Sequence, residues 1–170
     1  MSTPYPAFEI SPVPVPGPDA VAPEPFRGIY GMPMFVTVPT ADLAASSDLW
    51  IDGLGFIELF AAPGHVIHLR RWAFQDVLLV PGERPERAPA MTVSFSCVLH
   101  ELEAIATACE SVLPGCTTGP RTMPWNSVEL EVRTPENIRV IMTAARPYDP
   151  DSPEAEHLRS IGIQAPGHTG

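Results

Sequence analysis

The feature that most constrains the fold is a pattern of one strand, one helix and three strands that occurs twice between residues 34 and 146. In the first copy, short apolar segments predict strands at 34–38, 56–62, 65–71 and 73–80. After the linker "PGERPERAPA", the second copy predicts strands at 92–99, 115–121, 126–133 and 137–145. Because one such unit leaves an apolar sheet face uncovered, the two units, 34–81 and 91–146, must pair to enclose a core or a cavity.

Each copy also carries one amphipathic helix after its first strand. In "PTADLAASSDLWIDGLGF" a cap at Thr40 and Asp42 precedes the helix, and Gly55 ends it. The residues that share its apolar face are Leu43, Ser47, Trp50 and Leu54. In "HELEAIATACESVLPG" the corresponding residues are Leu102, Ile105, Cys109 and Val112. The predicted fold class is therefore α+β, built from paired βαβββ modules.

Two tails flank this domain. Residues 1–33 contain nine of the 22 prolines and predict an extended, polyproline-like arm. The arm is either a flexible tail or a segment laid across a partner subunit, which Phe8, Ile10, Phe26 and Tyr30 would anchor. Residues 147–170 form a C-terminal tail, in which Ser152 and Pro153 predict the start of a short helix that ends near Gly162.

The overall composition excludes several classes of function. A net charge of −10 argues against a nucleic-acid partner, because phosphates would be repelled. No secretory signal is visible, and no apolar run reaches the roughly 20 residues that span a membrane. The odd set of cysteines, Cys97, Cys109 and Cys116, has no CxxC spacing and predicts buried thiols without disulfides. We therefore expect a cytoplasmic protein without a membrane partner.

Three segments, in order and at the spacing of the repeat, resemble a known superfamily. They are "VPTADLAASSDLWIDGLGF", "HLRRWAFQDVLLV" and "PWNSVELEVRTPEN". The last is similar to the "PWG…REF…V.DPDGN" stretch of bleomycin-resistance proteins, one branch of the vicinal-oxygen-chelate superfamily, which also contains glyoxalases. The resemblance covers about residues 33–146. It implies a cupped, eight-stranded mixed sheet whose concave face is the binding site, often completed by a homodimer that exchanges strands or modules.

The resemblance also implies a test for metal chemistry. Enzymes of the superfamily hold a divalent metal with four His, Glu or Gln side chains, one from the first and one from the last strand of each repeat. The corresponding positions here are Phe35, Gln75, Ser94 and Val140, and a shift of one residue would replace Gln75 by Asp76. Since phenylalanine and valine cannot donate to a cation, we expect neither metal catalysis nor any cofactor.

Histidines and aromatic residues are the other candidates for a site. His65 and His68 are three residues apart on a strand, so they lie on opposite faces and predict surface or turn positions. Aromatic rings offer stacking area, and Gln75 and Ser94 add oriented polar groups. The predicted ligand-binding residues are therefore Phe35, Trp72, Phe74, Gln75, Ser94, Trp125 and Val140. For Trp125 the alternative is a hydrophobic plug, and for Trp72 it is packing at a dimer seam.

These patterns favour a non-enzymatic protein that binds and sequesters a bulky aromatic natural product, such as a bleomycin- or thiocoraline-type antibiotic. It would act as a homodimer and confer resistance or self-protection. One alternative is a metal-dependent lyase, isomerase or dioxygenase of the same superfamily with an unusual ligand set. Another is an accessory protein that binds a partner through the proline-rich arm.

Overall fold

The eight strands form two four-stranded mixed sheets with the same topology. The computed structural model describes residues 14–28, 34–72 and 75–163. The first sheet has the order β1-β4-β3-β2 and contains β1 (Val36–Thr40), β2 (Ile57–Ala62), β3 (Val66–Arg70) and β4 (Asp76–Pro81). The second has the order β5-β8-β7-β6 and contains β5 (Val93–Ser96), β6 (Thr117–Met123), β7 (Ser127–Arg133) and β8 (Arg139–Ala145). This repeat confirms the α+β class and the paired βαβββ modules.

Within each sheet, the first strand of the module runs parallel to the last, and the other neighbours are antiparallel. The strand β1 continues to Thr40, two residues beyond the predicted end, and includes Pro39. A proline is tolerated there because β1 is an edge strand of its sheet. The structure thus assigns Thr40 to the strand, and Asp42 alone caps the helix that follows.

The helix of the first module changes its geometry halfway. The helix α1 (Leu43–Asp48) begins at Asp42, whose Oδ1 accepts hydrogen bonds from the amides of Ala44 at 3.0 Å and Ala45 at 3.1 Å. A π-helical turn, 49–53, follows, and the Leu54 amide donates to the Leu49 carbonyl at 2.9 Å. The predicted face residues Trp50 and Leu54 are buried, and the wider turn buries Leu49 as well. In the α-helical half, Ser46 is buried in place of the predicted Ser47.

The second module has a regular helix, α2 (Leu102–Val112), after a short 3₁₀ turn at 99–101. It packs closely on the π-helical turn of the first module, where a Cβ atom added at Gly53 would lie 3.0 Å from Cys109 Sγ. A third helix, α3 (Pro153–Ser160), lies in the C-terminal tail. Its cap is the predicted one, because Ser152 Oγ accepts from the Ala155 amide at 3.1 Å. No described helix is long and apolar enough to cross a membrane.

One core joins the two modules. Trp50 and Phe56 from the first module and Phe95 from the second form an aromatic cluster, with ring centroids 5.1, 5.2 and 6.0 Å apart and edge-to-face geometry. The helix-facing sides of both sheets pack into this core. The three cysteines are buried and unbonded, as predicted, and burial raises the pKa of Cys97 and of Cys109 to about 12.

A buried arginine also links the modules. Arg71, at the end of β3, donates to the Ser96 carbonyl at 2.6 Å and to the Glu101 carboxylate at 2.7 Å. Its guanidinium lies 5.1 Å from the ring centroid of Trp72. These contacts fix the β3–β4 turn against the beginning of the second module's helix.

The described part of the arm, residues 14–28, has no helix or strand and lies against its own chain. Arg70 Nη1 donates to the carbonyls of Phe26 at 2.7 Å and Gly28 at 3.0 Å. The Arg70 guanidinium also lies 5.9 Å from the Phe26 ring centroid. The other proposed anchors, Phe8, Ile10 and Tyr30, lie outside the described residues.

Candidate ligand-binding site

The side of each sheet that faces away from the helices is called its open face. Strand register decides which residues lie on it. In the first sheet Val36 pairs with Val77, and continuing this register by one residue places Phe35 beside Asp76. In the second sheet Ser94 pairs with Ile141. Because side chains alternate along a strand, the four open-face positions on the first and last strands of the modules are Phe35, Asp76, Ser94 and Ile141.

This register shows that two predicted site residues, Val140 and Gln75, are each one residue away from the open-face position. Val140 is fully buried in the core, so its side chain does not reach the open face. Ile141 takes its place. Gln75 precedes β4, and its Nε2 donates to the Ser96 carbonyl at 3.2 Å. Gln75 therefore ties the β3–β4 turn to the second module, and Asp76 occupies the open-face position.

The other described residues of the predicted site lie in two regions, the open faces and a separate groove. Phe35 and Ser94 are exposed, and Trp125 lies at the edge of the second open face with 52% of its surface exposed. Trp72 is buried and lines a different groove, of about 430 Å³, between residues 22–25 of the arm and α2. Phe74 lies outside the described residues.

A compact charge cluster occupies the first open face. Asp76 accepts from Arg70 through both oxygens, each at 2.6 Å, and lies 3.0 Å from His68 Nε2. All three side chains are almost fully buried. Burial alone would raise the pKa of Asp76, but hydrogen bonds from Arg70 and His68 hold it below its usual value. His68 was predicted at the surface, and that prediction is wrong because Asp76 gives its ring a buried partner.

A second carboxylate, on β7, has a different environment. Glu129 Oε1 accepts from the Trp125 indole at 2.7 Å and from the Ser127 hydroxyl at 3.1 Å. The Thr143 hydroxyl lies 3.5 Å from the same oxygen, at the limit of a hydrogen bond. None of the ion pairs formed among the described residues includes Glu129. The second open face therefore carries a carboxylate that neutral donors orient and no cation neutralises.

A cavity of about 150 Å³ lies beside the three donors of Glu129, although Glu129 itself does not line it. The second module supplies its wall, and residues 14–20 of the arm supply its cover. All three side chains that point a donor at Glu129, namely Trp125, Ser127 and Thr143, line it. The arm and the second open face thus enclose a small, mostly apolar chamber that also contains the Trp125 ring and the hydroxyls of Ser127 and Thr143.

The donor set at the open-face positions does not fit a divalent metal. Phe35 and Ile141 have no donor atom, and both oxygens of Asp76 already accept from Arg70. Across the described ranges, no group of three or more His, Cys, Asp or Glu side chains has the geometry to hold a metal ion. These residues therefore do not fit the divalent metal that enzymes of the resembled superfamily hold.

Sequence reasoning missed Glu129 and the His68–Arg70–Asp76 cluster. A signal for Glu129 was present, because Ser127 and Glu129 alternate on one face of a strand that starts two residues after Trp125. The cluster left a weaker signal, since His68 and Arg70 share a face but their pairing with Asp76 depends on strand register.

Comparison with known protein families finds no match, and comparison with curated proteins finds none either. Several solved structures are similar. A glyoxalase-related enzyme from Fulvimarina pelagi is 15% identical, with 65% of this chain and 85% of that chain covered and a TM-score of 0.54. The fosfomycin resistance protein FosX from Mesorhizobium loti is 13% identical, with 69% and 94% covered and a TM-score of 0.55.

A third similar structure is an integron cassette protein from the mobile metagenome of the Halifax Harbour sewage outfall. It is 26% identical, with 68% of this chain and 99% of that chain covered and a TM-score of 0.53. The match over nearly its whole length extends across both modules. The chain has the paired βαβββ fold of the vicinal-oxygen-chelate superfamily.

Proposed function

We propose that this protein binds and sequesters a bulky aromatic natural product, of the bleomycin or thiocoraline type, without changing any bond in it. Protection of this kind is stoichiometric, because each site removes one molecule from solution. The protein would act as a homodimer, and its ligand would be a toxic compound.

The observation that supports it best is the character of the open faces. Their exposed aromatic rings are Phe35, Phe60 and Trp125, with 45%, 40% and 52% of their surfaces accessible. Flat rings at such positions provide stacking area at little cost in side-chain entropy. The positions that would need metal donors hold Phe35, Ser94, Ile141 and an Asp76 already bound by Arg70. This combination suits capture better than catalysis.

Cavity size constrains how the ligand is held. The 150 Å³ chamber beside Trp125 is smaller than the roughly 300–1,000 Å³ that drug-sized ligands occupy. A bulky ligand that stacks on Trp125 would therefore place its body on the open face itself, and residues 14–20 of the arm would move aside. Each sheet also keeps its first strand, β1 or β5, at an edge, where a second copy of the chain would complete a cup.

Calorimetric titration of the purified chain against a panel of aromatic antibiotics tests the proposal. We expect micromolar or tighter binding of at least one compound, and Trp125→Leu should weaken it by about five-fold, since a stacked ring contributes about 1 kcal/mol. The matched control is Tyr148→Leu, which removes an exposed ring from the C-terminal tail and should leave affinity unchanged.

Two further measurements distinguish capture from catalysis. Mass spectrometry of the released ligand should recover it unaltered after prolonged incubation. Elemental analysis of the purified protein should find less than stoichiometric zinc, nickel, manganese or iron. A modified ligand together with one tightly bound metal ion per chain would overturn sequestration and favour a metal-dependent enzyme.

A further inference from the structure

We infer that residues 14–28 of the arm form an autoinhibitory strap over the ligand-binding site. Residues 26–28, the anchor, stay fastened to the first open face. Residues 14–20, the cover, lie on the second open face and leave it when a bulky ligand binds. The inference rests on the proposed function and adds the regulation of that same site.

The anchor is held by hydrogen bonds from a charged donor. Arg70 Nη1 donates to the carbonyls of Phe26 at 2.7 Å and Gly28 at 3.0 Å. Such bonds are roughly twice as strong as those between neutral groups. Asp76 in turn fixes the guanidinium through both of its oxygens, and the Arg70 side chain is fully buried. The anchor therefore has directional contacts that resist displacement.

The Phe26 ring strengthens the anchor. It lies 5.9 Å from the Arg70 guanidinium, within the range of a cation–π interaction. It also lies on Gly28, because a Cβ atom added at that residue would be 2.6 Å from the ring atom Cζ. A side chain at position 28 would therefore push the ring aside and loosen the anchor.

The cover, in contrast, is held without hydrogen bonds to the sheet. Its residues Pro14, Pro16, Gly17 and Ala20 line the chamber across from Trp125. Among the described residues, the one hydrogen bond that the cover makes is internal, from the Ala20 amide to the Gly17 carbonyl at 3.3 Å. Its prolines have no N–H to donate. Apolar contact, which is not directional, keeps the cover on the second open face.

The stretch between the cover and the anchor is loosely packed. Residues 22–25 and the helix α2 leave a groove of about 430 Å³ between them. The chain from Ala20 to Phe26 spans up to about 20 Å when it is extended. The cover can therefore move away from Trp125 while the anchor remains on Arg70.

A tethered cover acts as a competitor that dilution does not remove. Short flexible tethers give effective concentrations on the order of millimolar. The apparent affinity of a ligand for such a site falls in proportion to the fraction of molecules in which the site is open. Weakening the cover should therefore raise the affinity for a bulky ligand. Loosening the anchor should do the same, because it lengthens the tether.

Titration of the full chain with Nile red, a neutral fused-ring dye whose fluorescence increases in apolar surroundings, tests the cover. We expect Pro16→Ser to bind the dye at least about three-fold more tightly than the wild type, because the site is open more of the time. The matched control is Val15→Ser. Val15 is 68% exposed and does not line the chamber, so its replacement should leave the dye affinity unchanged.

Gly28→Ala tests the anchor in the same titration. It should also tighten dye binding, although position 28 does not line the chamber, because it displaces the Phe26 ring. Adding Trp125→Leu to each of these variants should weaken dye binding, which locates the dye on the second open face.

Spin labels show which part of the strap moves. The described cysteines are buried, so a nitroxide reagent should label Val15→Cys or Arg27→Cys at the introduced, exposed position. Saturating Nile red should narrow the EPR lines of the label at position 15, in the cover. The label at position 27, in the anchor, should keep its spectrum.

Four results would each overturn the strap. They are equal dye affinity in the wild type, Pro16→Ser and Gly28→Ala, failure of Pro16→Ser to bind the dye, an unchanged spectrum of the label at position 15, and mobilisation of the label at position 27. The last result would mean that the whole arm leaves and that Arg70 holds no anchor.

The antibiotic panel separates this inference from the proposed function. If an antibiotic binds the wild type and Pro16→Ser equally well, sequestration stands and the strap falls. If the dye and spin-label results are as expected while no antibiotic binds, the strap stands and the proposed ligand class falls.

Discussion

The two open faces carry carboxylates in opposite states. On the first, Asp76 is enclosed by Arg70 and His68, and the arm's carbonyls at Phe26 and Gly28 take up further Arg70 donors. On the second, Glu129 has only neutral donors and keeps one oxygen available. Since both modules share one topology, the difference arises from side chains and not from the fold.

The two carboxylates therefore differ in role, since one contributes to stability and the other is available for binding. A buried carboxylate that is fully paired supports the structure, because removing either partner leaves an uncompensated charge. A partly exposed carboxylate without a cation adds little to stability and is available to a ligand. The first open face is therefore the better candidate for anchoring the arm, and the second for binding.

The largest effect should come from breaking the buried pair. Arg70→Met leaves Asp76 buried without its guanidinium and should lower the free energy of unfolding by about 3–5 kcal/mol, measured by urea denaturation. The matched control is Arg139→Met, which removes the half-exposed partner of Glu131 and should lower the free energy of unfolding far less, because solvent screens this pair. Similar losses in the two variants would remove the distinction between the faces.

Acid should destabilise the protein mainly by protonating Asp76 on the first open face. Burial opposes ionisation of Asp76, but its hydrogen bonds to Arg70 and His68 leave its pKa lowered in the folded protein. A lowered folded pKa gives stability that is present above the unfolded pKa, about 4, and is lost as pH falls through the folded value. The wild type should therefore lose more unfolding free energy between pH 7 and pH 3 than Asp76→Asn. Parallel pH profiles would contradict this assignment.

Removing the arm should affect the two faces differently. Deletion of residues 1–28 takes two carbonyl acceptors from Arg70 and should lower the unfolding free energy by about 1–3 kcal/mol. On the second face it uncovers the chamber beside Trp125, so iodide quenching of tryptophan fluorescence should increase. Unchanged quenching in a folded deletion variant would show that residues 14–20 do not cover the chamber in solution.

The smallest effect on stability should come from Glu129→Gln. Its partners are neutral and one of them, Trp125, is half exposed, so the unfolding free energy should change by less than about 1 kcal/mol. The comparison is with Asp76→Asn, measured in the same urea titration at pH 7. A loss in Glu129→Gln as large as that in Asp76→Asn would make Glu129 a structural residue.

Periodicity in the sequence was sufficient for the topology but not for the site. Apolar alternation predicted all eight strands near their observed positions, because one buried face per strand imposes a period of two. Because the period is two, an error of one residue places the wrong side chain on the open face. Val140 was predicted there, but Ile141 occupies that position. The slip arises at the turn before β8, where "TPEN" is one residue shorter than the "DPDGN" of the resembled stretch and Asn137 has a φ of 64°.

The other wrong or missed predictions concern residues whose contacts lie far away in the sequence. His68 gains a buried position only because β3 and β4 pair in a register that brings Asp76 near it. The π-helical turn likewise depends on how closely α2 approaches at Gly53. Local spacing places His68 and Arg70 on one face but gives neither their pairing with Asp76 nor the approach of α2, so both features required the three-dimensional structure.

The aromatic cluster of Trp50, Phe56 and Phe95 bears on how such a chain can evolve. Its rings come from both copies of the repeat, so neither copy encloses an interior by itself. A chain shortened to either half would therefore expose this apolar cluster to water unless two half-chains paired.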